Sequence, residues 1–244
     1  ALAEANEQLK SLDQLKSKFV SDVSHELRNP VTNLSLYLEL LEYAKPDKKS
    51  QYVTVLRNQV RRLSLLIEEI LTLSRLENGK SEKFFHPVDL NILVQQVIVA
   101  HAPRAENKGL TLRFEPGNSL PDGWGEPNQI TQVVTNLVDN ALNYTAEGGI
   151  TVITSRQQRV GLWELVLQIV DSGIGIPKKE LPHIFKRFYR GTQIDKKQMP
   201  GTGLGLGIVY EIVKAHNGRI DVTSIPNQGS TFTVTIPAAP QPES

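Results

Sequence analysis

Apolar residues along the first third of the chain recur at every third or fourth position. Leu2, Ala5, Leu9 and Leu12 step by alternating threes and fours, and Phe19, Val23, Leu27, Val31, Leu34, Leu38 and Leu41 extend the stripe. This spacing predicts a coiled coil running into a helical bundle. Ala44, Lys45, Pro46 and Asp47 interrupt it, and then Leu56, Leu63 and Ile70 repeat at heptad spacing beside Tyr52, Leu66, Ile67 and Leu73. Two helices joined by a short turn form an antiparallel hairpin. A lone hairpin exposes too much apolar surface, so pairing with a second copy into a homodimeric four-helix bundle is expected.

Asn78, Gly79, Lys80 and Ser81 supply a helix stop and a polar joint. The sequence is therefore divided into residues 1–78 and residues 84–238. In the second part, residues 88–100 read as helix and 110–115 as strand, and Glu126-Pro127 opens a strong helix over 128–144 with proline in its first turn. Strands are predicted over 150–155 and 163–170, and a helix over 204–216. The last element is a hairpin in which Ile220 and Val222, then Phe232, Val234 and Ile236, alternate with polar residues around Asn227, Gln228 and Gly229. Runs of strands mixed with helices on one face indicate an α+β sandwich. The tail over 238–244 reads as disordered.

Composition sharpens this picture. The chain has 244 residues, 39% hydrophobic and 22% charged, which excludes disordered and collagen-like classes. Lys+Arg 27 against Asp+Glu 26 gives a net charge of +1, so no global field holds a nucleic acid or an anionic membrane. The absence of cysteine removes disulfides, thiolate metal sites and cysteine nucleophiles, and fits a reducing compartment. No apolar run approaches the roughly 20 residues that span a bilayer, so the chain reads as cytoplasmic. The coiled-coil pattern already running at Leu2 suggests a preceding sensor region, membrane-bound or not, beyond Ala1. Glycine is absent before Gly79, which is the first of the chain's 17 glycines.

Candidate chemistry follows the same division. His25 in SHELRNP lies about 200° around the helix from Val23 and Leu27, so it points to water, with Asn29 one turn later and Glu26 beside it. A solvated face carrying three polar residues explains this. So does an imidazole nucleophile whose other ring N–H is accepted by Glu26. Pro30 removes a backbone donor and favours a kink. In NLVDNALNY, Asn136, Asn140 and Asn143 share a helix flank, either as surface polarity or as amides for a magnesium shell and phosphate oxygens. DSGIGIP follows an apolar strand, so Asp171 either begins an ordinary turn or accepts from an exocyclic amine, with Gly173 and Gly175 letting backbone approach a flat base. GTGLGLG precedes a helix whose N-terminal N–H groups suit phosphates; it matches neither the Walker pattern nor the dinucleotide fingerprint.

Taken together and in order, SKFVSDVSHELRNPVTNL, NLVDNALNY, DSGIGIP, IFKRFYRG and GTGLGLGIV resemble the phosphoacceptor segment and the N, G1, F and G2 boxes of bacterial sensor histidine kinases, over residues 9–237. The resemblance implies a dimeric helical hairpin joined to an α/β sandwich of the type shared with chaperone clamp and mismatch-repair ATPases. It implies that His25 takes the γ-phosphoryl group of ATP and passes it to an aspartate of a response-regulator receiver domain, with Glu26 polarising His25. Asn140 with Asn136 would hold Mg²⁺, Asp171 would select adenine, and Tyr144 would pack along the nucleotide. Gly173 and Gly175 would shape the base pocket, and Gly201, Thr202, Gly203, Leu204 and Gly205 would form the phosphate-side lid. Phe185 and Phe188 would anchor that lid, and Arg190, ahead of Lys186, would reach the γ-phosphate. Asn143 stands where many relatives carry a cation, for which Lys196 and Lys197 are candidate replacements. Asn29 stands where threonine is common and is compatible with phosphatase activity. A nucleotide-binding scaffold without transfer activity is the alternative, and a clamp ATPase gives no reason for the His25 face.

Overall fold

The computed structural model describes residues 2–77, 84–191 and 202–240, with side chains at residue 17 and from residue 20 onward. The chain divides into two compact units, Ala1–Leu71 and Thr72–Ser244. The division falls inside a continuous helix, ahead of the polar joint expected from Asn78 to Ser81, which lies outside the described residues.

In the first unit, α1 (Leu2–Glu42) continues through Pro30 without interruption, and α2 (Pro46–Glu77) begins on the proline that the sequence placed in the turn. Tyr37 and Tyr52 meet edge to face at 5.6 Å and tie the two helices together. The hairpin buries little by itself. Leu27, Leu34 and Leu41 are half-buried, whereas Val31 and Leu38 of the same stripe, with Val20, Leu65 and Ile67, stand exposed.

The second unit is a five-stranded mixed sheet under three helices. After β1 (His86–Val88) come α3 (Leu90–Asn107), β2 (Thr111–Glu115), β3 (Gly123–Gly125), α4 (Pro127–Tyr144), β4 (Gly149–Arg159) and β5 (Leu162–Asp171). A short 3-10 turn at Leu181–His183, α5 (Gly205–Ala215), β6 (Arg219–Ile225) and β7 (Gly229–Pro237) complete it. The order is β2-β4-β5-β7-β6, with β2 parallel to β4 and the rest antiparallel. β1 and β3 form a separate two-stranded ribbon. Leu165, Leu167, Val234 and Ile236 on one sheet face bury against Leu90, Ile130, Val133 and Ile212 of the helices. Glu126 caps α4, its carboxylate accepting from the N–H groups of Asn128 and Gln129 at 3.0 and 2.8 Å.

Several local expectations change. α3 runs to Asn107 rather than ending near Ala100, with Pro103 inside it. The hydrogen bond that proline removes belongs to the turn of Val99, which is 62% exposed, so water replaces it. β4 reaches Arg159, where Val160 and Gly161, both at positive φ, close a two-residue hairpin turn with β5. The tail is anchored at its start: the N–H groups of Ala238 and Ala239 donate to Trp163 O at 3.0 Å and Asp122 O at 2.7 Å. Residues 241–244 lie outside the described residues. Among the described residues no helix is long and apolar enough to cross a membrane.

His216 closes the α5 end of the core. Its Nδ1 donates to Ile212 O at 2.8 Å, its Nε2 accepts from the Glu126 N–H at 3.1 Å, and its ring stacks on Phe85 at 4.3 Å. This pattern requires the neutral ring, and burial holds its pKa below the ordinary 6.5. The unfolded chain therefore takes up a proton near pH 6.5 that the folded ring refuses until lower pH. Stability from His216 is complete above pH 6.5 and is lost as pH falls through that window. His101 has the opposite sign: its hydrogen bond to Asp139 raises its pKa, so its contribution is present below pH 6.5 and fades as pH rises through the raised value. Urea unfolding followed by fluorescence of Trp124 and Trp163 isolates the first effect. His216→Gln is expected to lower the midpoint at pH 7.5 and to lose the part of the acid-side decline that His216 causes.

Candidate functional site

The sheet delivers Asp171 to the end of β5, where the carboxylate is buried. Its Oδ1 accepts from the N–H of Gly173 at 2.8 Å and of Ser230 at 3.3 Å, and Oδ2 has no partner among the described residues. Burial pushes the carboxyl above its ordinary range against the pull of these two donors. One oxygen is thus spent on orientation, and the other is left to recognise a donor.

The DSGIGIP loop is held from two sides. The Ile174 N–H donates to Tyr144 O at the end of α4 (3.1 Å), and Ile174 O accepts from the Asn227 N–H of the β6–β7 turn (2.7 Å). The Ile176 N–H donates to Ser224 Oγ at 2.7 Å. Gly173 and Gly175 are required by this closeness: an added Cβ would lie 2.4 Å from Tyr144 O or 2.1 Å from Ile225 O, and Gly175 has φ +65. Gly175→Ala is therefore expected to cost about 2 kcal/mol or more of stability. A thermal or urea melt of the second unit checks this.

Next to the loop lies a partly open cleft. Asn140 and Tyr144 of α4, Asp171, Gly175 and Arg190 line it together, in keeping with what the family resemblance implies. Burial raises the Tyr144 pKa, and the Arg190 charge partly opposes the rise. The apolar wall comes from residues that sequence reading missed, notably Ile176, Ile184, Leu206 and Phe232. Their signal was weak: Phe232 alternates inward on a strand, and Leu206 sits among glycines. Ser230 and Ser224 were also missed, although they hold Asp171 and its loop.

Other expected site residues sit elsewhere. Asn136 donates from Nδ2 to Gly205 O at 3.3 Å, tying α4 to the start of α5. Asn143 does not join Asn140 in the cleft lining; its Oδ1 accepts from Arg104 Nη2 at 2.6 Å, and Arg104 also pairs with Asp139. A long α3 side chain captures that amide, so the three asparagines do not act as one cluster. Thr202 Oγ1 accepts from the Leu204 N–H at 3.2 Å, and Gly203, at φ +78, packs on the Phe188 backbone. Leu204 is fully buried, so its side chain belongs to the core. The ring of Phe185 meets Tyr210 of α5 at 5.9 Å. Gly201, Lys196 and Lys197 lie outside the described residues. Among the described residues no group of three His, Asp or Glu side chains could hold a metal.

On the first unit, His25 and Asn29 are exposed on α1 and His25 makes no hydrogen bond to Glu26. The expected partnership is pre-empted: Glu26 Oε2 accepts from Arg62 Nη2 of α2 at 3.0 Å.

Comparison with known proteins matches both units. Residues 15–79 fit the model described as His Kinase A (phospho-acceptor) domain, and residues 125–240 fit that of the histidine kinase-, DNA gyrase B-, and HSP90-like ATPase. The chain is 33% identical over 229 residues to the sensor protein kinase WalK of Staphylococcus aureus, covering 93% of this chain and 54% of that protein. It covers 37% of the WalK proteins from several S. aureus strains, so it spans about half or less of these relatives. Among solved structures, the Acinetobacter baumannii histidine kinase AdeS superposes with a TM-score of 0.70 at 29% identity, covering 88% of this chain and 98% of that one. Full-length ShkA in complex with AMPPNP gives 0.67 at 28%, covering 91% and 46%. The histidine kinase ThkA in complex with response regulator protein TrrA gives 0.69 at 25%, covering 96% and 64%.

Proposed function

Because this chain belongs to the sensor histidine kinases and carries both their phosphoacceptor and their ATP-binding domain, we propose that it phosphorylates His25 from ATP and passes the phosphoryl group to an aspartate of a response-regulator receiver domain. The observation that carries this reading is Asp171, buried with one oxygen fixed by two backbone donors and the other unpartnered. That arrangement suits the exocyclic amine of adenine, and the apolar wall with Tyr144 suits the flat base. ShkA, a structural neighbour solved in complex with AMPPNP, supports a nucleotide in this fold.

Phosphoryl transfer asks the protein mainly for placement and charge neutralisation. Arg190 in the cleft lining supplies positive charge toward the phosphates. The amide oxygen of Asn140 in the cleft lining would help hold Mg²⁺; Asn136, outside that lining and tied to Gly205 through Nδ2, would reach the ion only by turning its amide oxygen toward the cleft. The ion's part is to neutralise phosphate charge. At His25, one ring nitrogen attacks the γ-phosphorus as the bond to ADP breaks, and the other ring N–H gives its proton to Glu26. The exposed apolar faces of α1 and α2 are covered in a homodimer of hairpins. ThkA with its response regulator illustrates the partner class.

The test is incubation with γ-labelled ATP and Mg²⁺. Acid-labile, base-stable label on this chain, chased onto a receiver domain, is the expected result. Nucleotide binding without label favours the scaffold reading instead.

A further inference from the structure

The first unit holds an ion pair that the proposed chemistry does not use. Arg62 Nη2 of α2 meets Glu26 Oε2 of α1 at 3.0 Å, with side chains 38% and 30% exposed. Glu26 is the residue next to His25, and its carboxylate is turned to the other helix while the imidazole stands exposed without it. The pair is not locked from the arginine side: Arg62 Nε is buried and has no hydrogen-bond partner, so this placement leaves one donor unsatisfied.

Resting on the phosphotransfer reading above, we propose that Arg62 is a positioning residue that withholds Glu26 from His25, so that the imidazole gains its proton acceptor only when the ion pair opens. The chemistry requires such a choice. As the attacking nitrogen bonds phosphorus, positive charge develops on the ring and the other N–H needs an acceptor. A carboxylate paired with a guanidinium is a weaker acceptor and points elsewhere. A partly exposed pair of this kind is readily broken, so relative movement of α1 and α2 is enough to transfer Glu26 from one partner to the other.

Arg62→Gln, which keeps length and polarity but removes the charge, is expected to raise the initial rate of His25 labelling about two- to fivefold. Arg62→Lys, which can restore the ion pair, brings the rate back toward wild type. In a Glu26→Gln background, Arg62→Gln is expected to have no effect, because there is no carboxylate to release. An unchanged or lower rate in Arg62→Gln, or the same gain without Glu26, overturns the proposal. A second readout does not depend on turnover: in the full chain labelled with ¹⁵N-histidine, long-range proton–nitrogen spectra at fixed pH report the His25 tautomer ratio. Arg62→Gln is expected to drive His25 toward a single tautomer, and an unchanged ratio overturns the proposal. If the wild-type chain takes no label, the phosphotransfer reading fails while the tautomer measurement still decides whether Arg62 holds Glu26 away.

Discussion

Replacing His25 with glutamine is expected to bring acid-labile labelling from γ-labelled ATP down to background, with ATP binding unchanged. The residue is exposed on α1, so its replacement removes no core packing. Glutamine keeps the polarity and about the reach of imidazole but has no nucleophilic nitrogen, because its amide lone pair is delocalised. On the proposed mechanism His25 supplies the bond-forming atom, so its loss leaves the phosphoryl group without its acceptor. Binding is untouched because the cleft is built wholly from the second unit. Phosphopeptide mapping with a parallel nucleotide titration checks both halves, and label that survives in His25→Gln removes His25 from the reaction.

Asp171→Asn is expected to weaken ATP binding by about 100-fold, the loss associated with an unpaired polar contact in a buried site. The two backbone donors decide this. Gly173 and Ser230 both present N–H groups to Oδ1, so an asparagine places its carbonyl oxygen there and turns its NH₂ toward the base. Two donors then face each other across the pocket, since the adenine amine also donates. The fold survives, because the backbone donors keep their acceptor. The same change presents a donor to the carbonyl of guanine, so the variant is expected to lose most of its preference for ATP over GTP. Competition titrations against a fluorescent ATP analogue measure both effects.

The periodic parts of this fold were legible in sequence. A stripe repeating every third or fourth residue encodes α1 and α2, and a capping glutamate followed by proline encodes the start of α4. β1 and β3, at three residues each, are too short to carry a period. The extension of α3 past Ala100 was hidden by Pro103, whose cost falls on a solvated turn. Within the site, residue types with distinctive chemistry were readable: Asp171, Asn140, Tyr144 and the paired glycines of the loop. Contacts made by long side chains from another helix were not. Arg104 capturing Asn143, and Arg62 capturing Glu26, depend on partners 39 and 36 residues away that no local spacing reveals. The apolar wall was equally silent, because leucine and phenylalanine look the same in a cleft as in a core.

The strand order has a consequence for assembly. β7 is last in the chain yet lies between β5 and β6, and its Ser230 pairs with Asp171 and supplies one of the two donors that aim the carboxylate. The β6–β7 turn also seats the glycine loop through Asn227. The cleft is therefore incomplete until the β6–β7 hairpin is in place. A chain clipped before Gly229 has every upstream motif but lacks the Ser230 donor that aims Asp171. Completion of the cleft thus waits on the β6–β7 hairpin, however early the upstream motifs have folded.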